Sequence, residues 1–365
     1  MYNIPIYQPS LTGNEKKYVN ECLDSTWISS KGEFIAKFEK EFAKYTGIKY
    51  ATGVCNGTVA MHLALVSLGI GTGDEVIVPT LTYVASVNAI AYTGAVPVFA
   101  DSLSDTWQID PEDIKRKITK RTKAIVAVHL YGHPCDMDVI MNIARQHNLF
   151  VVEDCAEAFG SKYKGKYVGQ FGDIAAYSFF GNKTITTGEG GMVVTNNPSL
   201  YEKAFHYKGQ GLAKNREYWH DVIGYNYRMT NICAAIGLAQ LEQADVFIEK
   251  KIQLARRYMK LLQDVPVDIQ NEIGNTRHTY WMFSILVKDK KLRDPLREHL
   301  KGCGIETRPL FYPIHKMPMY QNGGRFPVAE DLSARGINLP SWPGLNDNNI
   351  IRIVKSIKDF YTLCE

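Results

Sequence analysis

The sequence predicts an α/β fold in which a mainly parallel sheet is covered by helices on both faces. Two observations indicate this class. Strand-like and helix-like runs alternate between residues 47 and 195, as in proteins whose parallel strands are joined by crossover helices. The chain has 365 residues, too many for one ordinary core, and its last third changes to a less regular mixture of elements. Ligands of such sheets lie beyond the carboxyl ends of the strands.

The elements follow in order along the chain, each with its own start or stop signal. Pro111 would open a helix with Asp110 as its cap, and Gly94 would close the helix before it. The apolar run at 174–180 adds a further β-like segment. The other predicted strands are 49–54, 75–78, 96–100, 124–129 and 149–153, and the helices between them are 58–69, 82–93, 111–118 and 137–147.

A long helical pattern from residue 229 to about 262 is interpreted as a spine that leaves the first domain. A strand at 281–287, a helix at 292–303 and a final helix at 346–361 follow it. We therefore expect a large α/β domain at residues 1–245 and a smaller α+β domain at residues 246–365.

Composition excludes several classes of function. Apolar residues make up 45% of the chain and charged residues 22%, which is ordinary for a folded protein. The net charge of +4 is too small to indicate nucleic-acid binding, although it suits an anionic small substrate. The seven cysteines form no C-x-x-C pair, which favours a reducing compartment. Neither a signal peptide nor a membrane-spanning run is predicted, so we expect a cytoplasmic protein without membrane or nucleic-acid partners.

Lys183 is the strongest candidate for a catalytic residue. It follows a β-like run, Gly181 lies just before it, and three glycines come soon after it. Such a backbone can bend tightly and approach a ligand closely. A lysine in apolar surroundings can lose its proton and attack a carbonyl group, whereas most lysines are simply solvated.

Two further segments could bind parts of the same ligand. Asn56, Gly57 and Thr58 lie between a strand and a helix, where free N–H groups form an anion site; a helix cap is the alternative. Asp154 ends a buried strand and needs a positive or hydrogen-bonding partner, and Glu157 could reach the same ligand. An anion site, an acid and a lysine at one sheet edge fit pyridoxal phosphate, which uses all three.

Six segments then resemble the sugar-nucleotide aminotransferases, a pyridoxal-phosphate-dependent family of fold type I. They keep their order over nearly the whole chain and lie at residues 56–65, 74–80, 153–157, 178–191, 224–229 and 306–315. The resemblance implies the fold of aspartate aminotransferase, with a large cofactor-binding domain, a small C-terminal domain, and an N-terminal segment that contributes to the active site.

The resemblance also implies roles for the residues. Lys183 would bond to the cofactor aldehyde, Asp154 would pair with the ring nitrogen, and Glu157 would face the ring hydroxyl, where many relatives have glutamine. Tyr83 would stack on the ring. Asn226 would reach the phosphate in a neighbouring subunit, which requires a homodimer with shared active sites. The remaining phosphate contacts would be Asn56, Gly57, Thr58 and Ser178.

The reaction implied is transfer of the amino group of L-glutamate, released as 2-oxoglutarate, to C4 of GDP-4-keto-6-deoxy-D-mannose for surface polysaccharide. Arg228 and Arg308 could neutralise the diphosphate, or each could form a structural ion pair. The candidate contacts of the sugar nucleotide are Trp27, Ser29, Lys31, His129, Trp219, Arg228, Arg308, Tyr312 and His315.

Three alternatives remain. A 3-dehydratase could use the same cofactor and ketosugar, but that family has histidine in place of Lys183. A dTDP- or UDP-linked ketosugar could be the substrate, or the chain could bind a sugar nucleotide without catalysis.

Residues 69–73 are glycine-rich but follow a helix, so they do not predict a dinucleotide site. No metal is predicted, although His129, His133, Cys135 and Asp136 are residue types that bind one.

Overall fold

The computed structural model describes residues 2–321 and 323–364. Short apolar runs form its strands, and five of the described helices begin at a residue whose side chain accepts a hydrogen bond from the first turn. In the described residues the strands are β1 Tyr50–Val54, β2 Glu75–Pro79, β3 Val96–Ala100, β4 Thr122–Val128, β5 Phe150–Asp154, β6 Lys162–Tyr163, β7 Lys166–Tyr167, β8 Ile174–Ser178, β9 Gly191–Thr195, β10 Val267–Ile269, β11 Thr276–Arg277, β12 Phe283–Val287, β13 Arg308–Pro309 and β14 Gly336–Leu339.

Helices cover both faces of the main sheet and connect its parallel strands. Asp110 caps one of them by accepting a hydrogen bond from the N–H of Glu112 at 2.9 Å, as predicted. The helices are α1 Glu15–Asp24, α2 Glu33–Thr46, α3 Gly57–Ser67, α4 Val84–Tyr92, α5 Pro111–Lys117, α6 Met137–His147, α7 Pro198–Lys208, α8 Asn231–Glu242, α9 Ala244–Leu261, α10 Arg293–Gly302, α11 Pro327–Arg335 and α12 Asp347–Cys364.

The main sheet has seven strands in the order β1-β9-β8-β5-β4-β2-β3. Strands β2, β3, β4, β5 and β8 are parallel, and β9 is antiparallel to both of its neighbours, β8 and β1. The carboxyl ends of β1, β2, β4, β5 and β8 therefore meet at one edge of the sheet. The predicted α/β class with a mainly parallel, mixed sheet is confirmed.

The helical pattern at residues 229–262 is divided between α8 and α9 at Gln243, whose backbone is not helical. The division lets α8 pack against α1 and α2 while α9 packs against α12. Beyond α9, strands β10, β12, β14 and β13 form a second, antiparallel sheet. The domain boundary at residue 245 remains a prediction.

The N-terminal segment runs beside the C-terminal part of the chain. Ile4 forms a β-bridge with Ile305, and the N–H of Ile6 donates to the Glu306 carboxylate at 3.0 Å. Tyr7 then reaches the loop of Lys183, as described below. Among the helices of the described residues, none has the length and apolarity needed to cross a bilayer.

Candidate active site

The carboxyl edge of the main sheet borders a cavity of about 410 Å³. Each wall follows a strand that ends at this edge, so residues far apart in sequence meet there. All the residues predicted to bind the cofactor line this cavity except Asn226: Asn56, Gly57, Thr58, Tyr83, Asp154, Glu157, Ser178 and Lys183.

The start of α3 forms one end of the cavity. Asn56 caps the helix by accepting a hydrogen bond from the N–H of Val59 at 3.0 Å. The N–H groups of Gly57 and Thr58 have no partner within the helix because they belong to its first turn. A Cβ on Gly57 would lie 2.6 Å from the Cβ of Ser178, so only glycine lets this serine lie beside the helix start. The arrangement is suited to an anion.

Asp154, the last residue of β5, lies on the wall of the cavity. Its Oδ2 accepts a hydrogen bond from Ser86 Oγ at 2.7 Å, and its Oδ1 accepts one from the N–H of Ala156 at 3.0 Å. Ser86 Oγ is also 3.0 Å from Thr82 Oγ1. Each carboxylate oxygen has two lone pairs, so Asp154 retains acceptor capacity toward the cavity.

Glu157 is a second buried acid on the same wall. Burial raises its pKa to about 7, while the charge of Lys183 and a hydrogen bond from the backbone of Tyr131 oppose this change. The bond joins the N–H of Tyr131 to Glu157 Oε2 at 2.8 Å. Glu157 can therefore change its protonation state near neutral pH.

Lys183 lies opposite these acids on the loop between β8 and β9. Burial lowers the pKa of its ε-amine, and the charges of Glu157 and Asp154 oppose that shift. Its Nζ lies 3.7 Å from the centroid of the Trp281 ring. A lysine with a lowered pKa has more of the neutral amine, which is the form that attacks a carbonyl group.

Gly191 shows why glycines follow Lys183. A Cβ at this position would lie 2.6 Å from the carbonyl oxygen of Asn56 and 2.9 Å from that of Tyr177. The loop therefore returns into β9 against two neighbouring backbones, which a larger residue would push apart.

A second cavity of about 700 Å³ adjoins the first, and the two share Tyr83, Phe180 and Trp281 among their lining residues. Arg308 and Tyr312, both predicted to contact the substrate, line this outer cavity. Arg308 also forms an ion pair of 2.6 Å with Glu306, which is the structural role that the sequence analysis gave as its alternative.

The sequence reasoning missed several residues of the site. Ser86 lies three positions after Tyr83 in the first turn of α4 and lines the cavity. Its hydroxyl group shortly after a strand end is a local feature from which a site residue could have been predicted. Trp281 and Phe311 come from the C-terminal part of the chain, and no local pattern links them to Lys183.

Other predicted contacts lie on surfaces away from these cavities. Trp27 lines a shallow groove beside Asn231, Ser29 and Lys31 are exposed nearby, and Trp219 packs its ring 4.0 Å from the guanidinium carbon of Arg216. Asn226 is exposed and accepts a hydrogen bond from Arg228 at 3.2 Å. Within one chain, these residues do not join the site around Lys183.

His129, which is predicted to contact the substrate, lies in the protein interior. The side chain is fully buried, its Nε2 lies 3.1 Å from Glu153, and its Nδ1 accepts a hydrogen bond from the N–H of Cys135. Val128 and Asp154 line the cavity. His129, which follows β4, and Glu153, which precedes Asp154 in β5, therefore face the opposite side of the sheet.

The same cluster does not require a metal. Ligand-type atoms of His129, Glu153 and Cys155 lie within 4.8 Å of one another. The Glu153 carboxylate, however, accepts hydrogen bonds from the N–H groups of Gly169, Phe171 and Gly172. Hydrogen bonds therefore account for this buried charge.

His315, which is also predicted to contact the substrate, is buried as well. Its Nδ1 lies 2.7 Å from Thr80 Oγ1, and its Nε2 lies 3.2 Å from Glu330. Burial lowers the pKa of the imidazole. These contacts join the end of β2 to α11 and leave the ring facing neither cavity.

A fold type with a lysine, two acids and a helix-end anion site at one sheet edge is typical of aminotransferases that use pyridoxal phosphate. Residues 9–358 match the DegT/DnrJ/EryC1/StrS aminotransferase family, and the chain belongs to that family.

Two curated relatives cover almost the whole chain, and both are named GDP-perosamine synthase. The protein from Escherichia coli O157:H7 is 64% identical over 99% of this chain and 100% of its own length. The protein from Vibrio cholerae is 51% identical over 98% of this chain and 99% of its own.

Among solved structures, Spr1654 of Streptococcus pneumoniae in its PLP form is 28% identical over 100% of both chains, with a TM-score of 0.94. Its PMP form gives 0.95. The predicted family and the aminotransferase class are confirmed, and these structures support pyridoxal phosphate as the cofactor of the family.

Proposed function

We propose that this chain is a pyridoxal-phosphate-dependent aminotransferase that converts GDP-4-keto-6-deoxy-D-mannose to GDP-perosamine, with L-glutamate as amino donor. The observation that carries the chemistry is the convergence of Lys183, Asp154, Glu157 and the start of α3 on one cavity. The observation that supports the substrate is the 64% identity to a GDP-perosamine synthase over nearly the whole chain.

The donor set of the cavity fits pyridoxal phosphate. The first-turn N–H groups of α3 and the Ser178 hydroxyl hold the phosphate, because a helix start attracts an anion. Asp154 pairs with the ring nitrogen, which its remaining acceptor capacity allows. Glu157 faces the ring hydroxyl, and Tyr83 packs its aromatic face on the ring.

When bound, the cofactor supplies an aldehyde and a ring that accepts negative charge. Lys183 would hold the cofactor through that aldehyde at rest, and its amine would be released during turnover. Its Nζ removes the Cα proton of L-glutamate in the first half of the reaction and delivers a proton to C4 of the sugar in the second half. Asp154 and Glu157 keep the released amine close by electrostatic attraction.

The outer cavity takes the sugar nucleotide, with Arg308 and Tyr312 at its wall. The predicted contacts outside the interior act across a homodimer, since one chain does not bring them to its own Lys183: Trp27, Ser29, Lys31, Trp219, Asn226 and Arg228. Large apolar side chains near these contacts in the sequence are exposed in one chain, and a second copy that covered them would remove them from water. They are Trp27 (56% exposed), Ile28, Tyr218 (93%), Trp219 and Ile223 (91%).

We place the reaction in the cytoplasm, where glutamate and nucleotide sugars are available, and its product serves surface polysaccharide. Amino-group transfer and dehydration differ in their products. Lys183 favours transfer, because histidine moves a proton but forms no stable bond to the aldehyde.

The test supplies the purified enzyme with pyridoxal phosphate, L-glutamate and, in parallel, GDP-, dTDP- and UDP-linked 4-keto-6-deoxy sugars. We expect 2-oxoglutarate and an amino-sugar nucleotide in equal amounts from the GDP substrate alone. Turnover only with a dTDP or UDP sugar would retain the aminotransferase and replace the substrate. A deoxygenated product without nitrogen would establish the dehydratase instead.

A further inference from the structure

The ring of Trp281 packs against the amine of Lys183. Trp281 precedes β12 in the C-terminal part of the chain, is 5% exposed, and lines both cavities. The Nζ of Lys183 lies 3.7 Å from its ring centroid, which is within cation–π distance. The indole N–H donates a hydrogen bond of 2.7 Å to the carbonyl oxygen of Asn182, the residue next to Lys183.

The backbone of Trp281 is fixed from behind by a buried lysine of α9. Lys251 Nζ donates hydrogen bonds to the carbonyl oxygens of Trp281 at 3.1 Å and Ser341 at 2.7 Å. The Ser341 hydroxyl in turn accepts the N–H of Phe283 at 2.9 Å. These bonds hold the backbone of Trp281 just before β12, and the bond from the indole N–H to Asn182 holds the ring.

The lysine loop is held on its other side by the N-terminal segment. The hydroxyl of Tyr7 donates a hydrogen bond of 2.6 Å to the carbonyl oxygen of Lys183. Trp281 and Tyr7 thus secure two consecutive carbonyl groups, those of Asn182 and Lys183. The freedom left to Lys183 is that of its side chain, which is the part that must move during transamination.

The ring acts differently on the two forms of the amine. An ammonium group is attracted to the negative face of an indole, whereas a neutral amine gains little from it. Asp154 and Glu157, the acids facing Lys183, attract the same charged form. Burial acts in the opposite direction, so the protonation of Lys183 is set by the balance between solvent exclusion and these three groups.

We infer that Trp281 is a positioning residue for Lys183: its ring holds the protonated ε-amine beside the acids of the cavity, and its N–H fixes the loop at Asn182. The inference rests on the proposed function, since it assigns Lys183 as the reacting amine. Lys251 supports the same arrangement by fixing the backbone of Trp281.

The test measures the protonation of Lys183 in cofactor-free protein. Wild type and Trp281→Leu are labelled with a trace of amine reagent between pH 6 and 11, and mass spectrometry follows each lysine. We expect the titration midpoint of Lys183 to fall by about half a unit to one unit in the variant. The exposed Lys355 of α12 is the internal control and should not move.

Two further variants separate the roles of the ring and the N–H. Trp281→Phe keeps an aromatic face without the indole N–H and should move the midpoint less than Trp281→Leu. Trp281→Met fills the space without a ring and should match Trp281→Leu, which keeps the test valid if the leucine variant does not fold. In loaded enzyme, both ringless variants should lower kcat with little change in the KM for glutamate.

The outcomes distinguish this inference from the proposed function. An unchanged midpoint in a folded ringless variant overturns the positioning role, even if the enzyme makes GDP-perosamine. A lowered midpoint supports the positioning role, even if the wild-type enzyme acts on another ketosugar, because labelling uses neither cofactor nor substrate.

Discussion

The surroundings of Lys183 and Lys251 differ although both amines are enclosed by protein. Burial lowers the pKa of each, that of Lys251 to about 7. Lys183 faces a cavity with two carboxylates and an aromatic ring. Lys251 is a buried residue of α9, and its amine donates hydrogen bonds to two backbone carbonyl groups.

The difference shows that a lowered pKa alone does not make a lysine catalytic. Lys251 lines neither of the two cavities, and its hydrogen bonds hold the amine in one place. Lys183 has its backbone held while its amine faces open space beside acids that can attract it after each step. Reactivity therefore follows from the cavity and its charges, whereas burial only increases the fraction of the amine that is neutral.

Replacing the two lysines by methionine breaks the comparison most directly. Lys183→Met should lower turnover at least as much as the loss of a general acid–base group does, about 10²–10⁴-fold, because the amine that moves the proton is lost. Lys251→Met should lower turnover per folded molecule far less, because it removes only the support of the Trp281 backbone. Glutamate-dependent formation of the amino-sugar nucleotide measures both, with circular dichroism to check folding.

The result that contradicts this reading is a Lys183→Met enzyme within tenfold of wild type, or about equal losses in two folded variants. Either would mean that the position of the amine beside the acids does not decide which lysine is used.

The second prediction concerns stability at the Lys251 region. The native pKa of Lys251 is about 7 and its ordinary value is 10.5, so the unfolded state binds more protons between these values. This lysine therefore makes the free energy of unfolding rise with pH in that window, and the change is absent below about pH 7. Lys251→Met lacks this dependence.

Urea unfolding at pH 6.5 and 9.5 measures the effect. The stability of Lys251→Met relative to wild type should fall by roughly 3 kcal/mol from the lower to the higher pH. Lys355→Met, at an exposed position of α12, provides the matched control and should show no such change. A constant difference for Lys251→Met would mean that the buried amine is charged throughout.

The same two regions show what the sequence could predict. Lys183, Asp154 and the start of α3 each lie at the carboxyl end of a strand or within a few residues of it, so their shared edge follows from strand direction alone. The cap at Asp110 is equally local. Such features depend on short stretches of chain, which a sequence displays directly.

The remainder depends on contacts between distant segments. Trp281 reaches Asn182 across 99 positions, and Lys251 reaches Ser341 across 90, so neither pair has a local pattern. The surroundings of His129 also depend on a distant contact. His129 follows β4 at the correct edge, but the side of the sheet that it faces depends on the pleat and on its bond to Glu153.

The smallest predicted effect on stability comes from Glu157→Gln. This variant removes one of the two acids near Lys183, and the amine then has fewer acidic neighbours, as Lys251 does. The native pKa of Glu157 is about 7 against an ordinary 4.5, so the native state binds more protons between these values. Ionisation of Glu157 therefore lowers stability as pH rises through this window, and the glutamine variant is spared that loss.

The stability of Glu157→Gln relative to wild type, both cofactor-free, should increase by roughly 2 kcal/mol between pH 5 and pH 7.5 in urea unfolding. Glu242→Gln, at an exposed end of α8, is the control. Labelling should also show a lower titration midpoint for Lys183, since the charge that favours its protonated form is gone. A midpoint that stays in place would mean that Asp154 and Trp281 alone hold the ammonium, and that Glu157 does not distinguish the reactive lysine from the structural one.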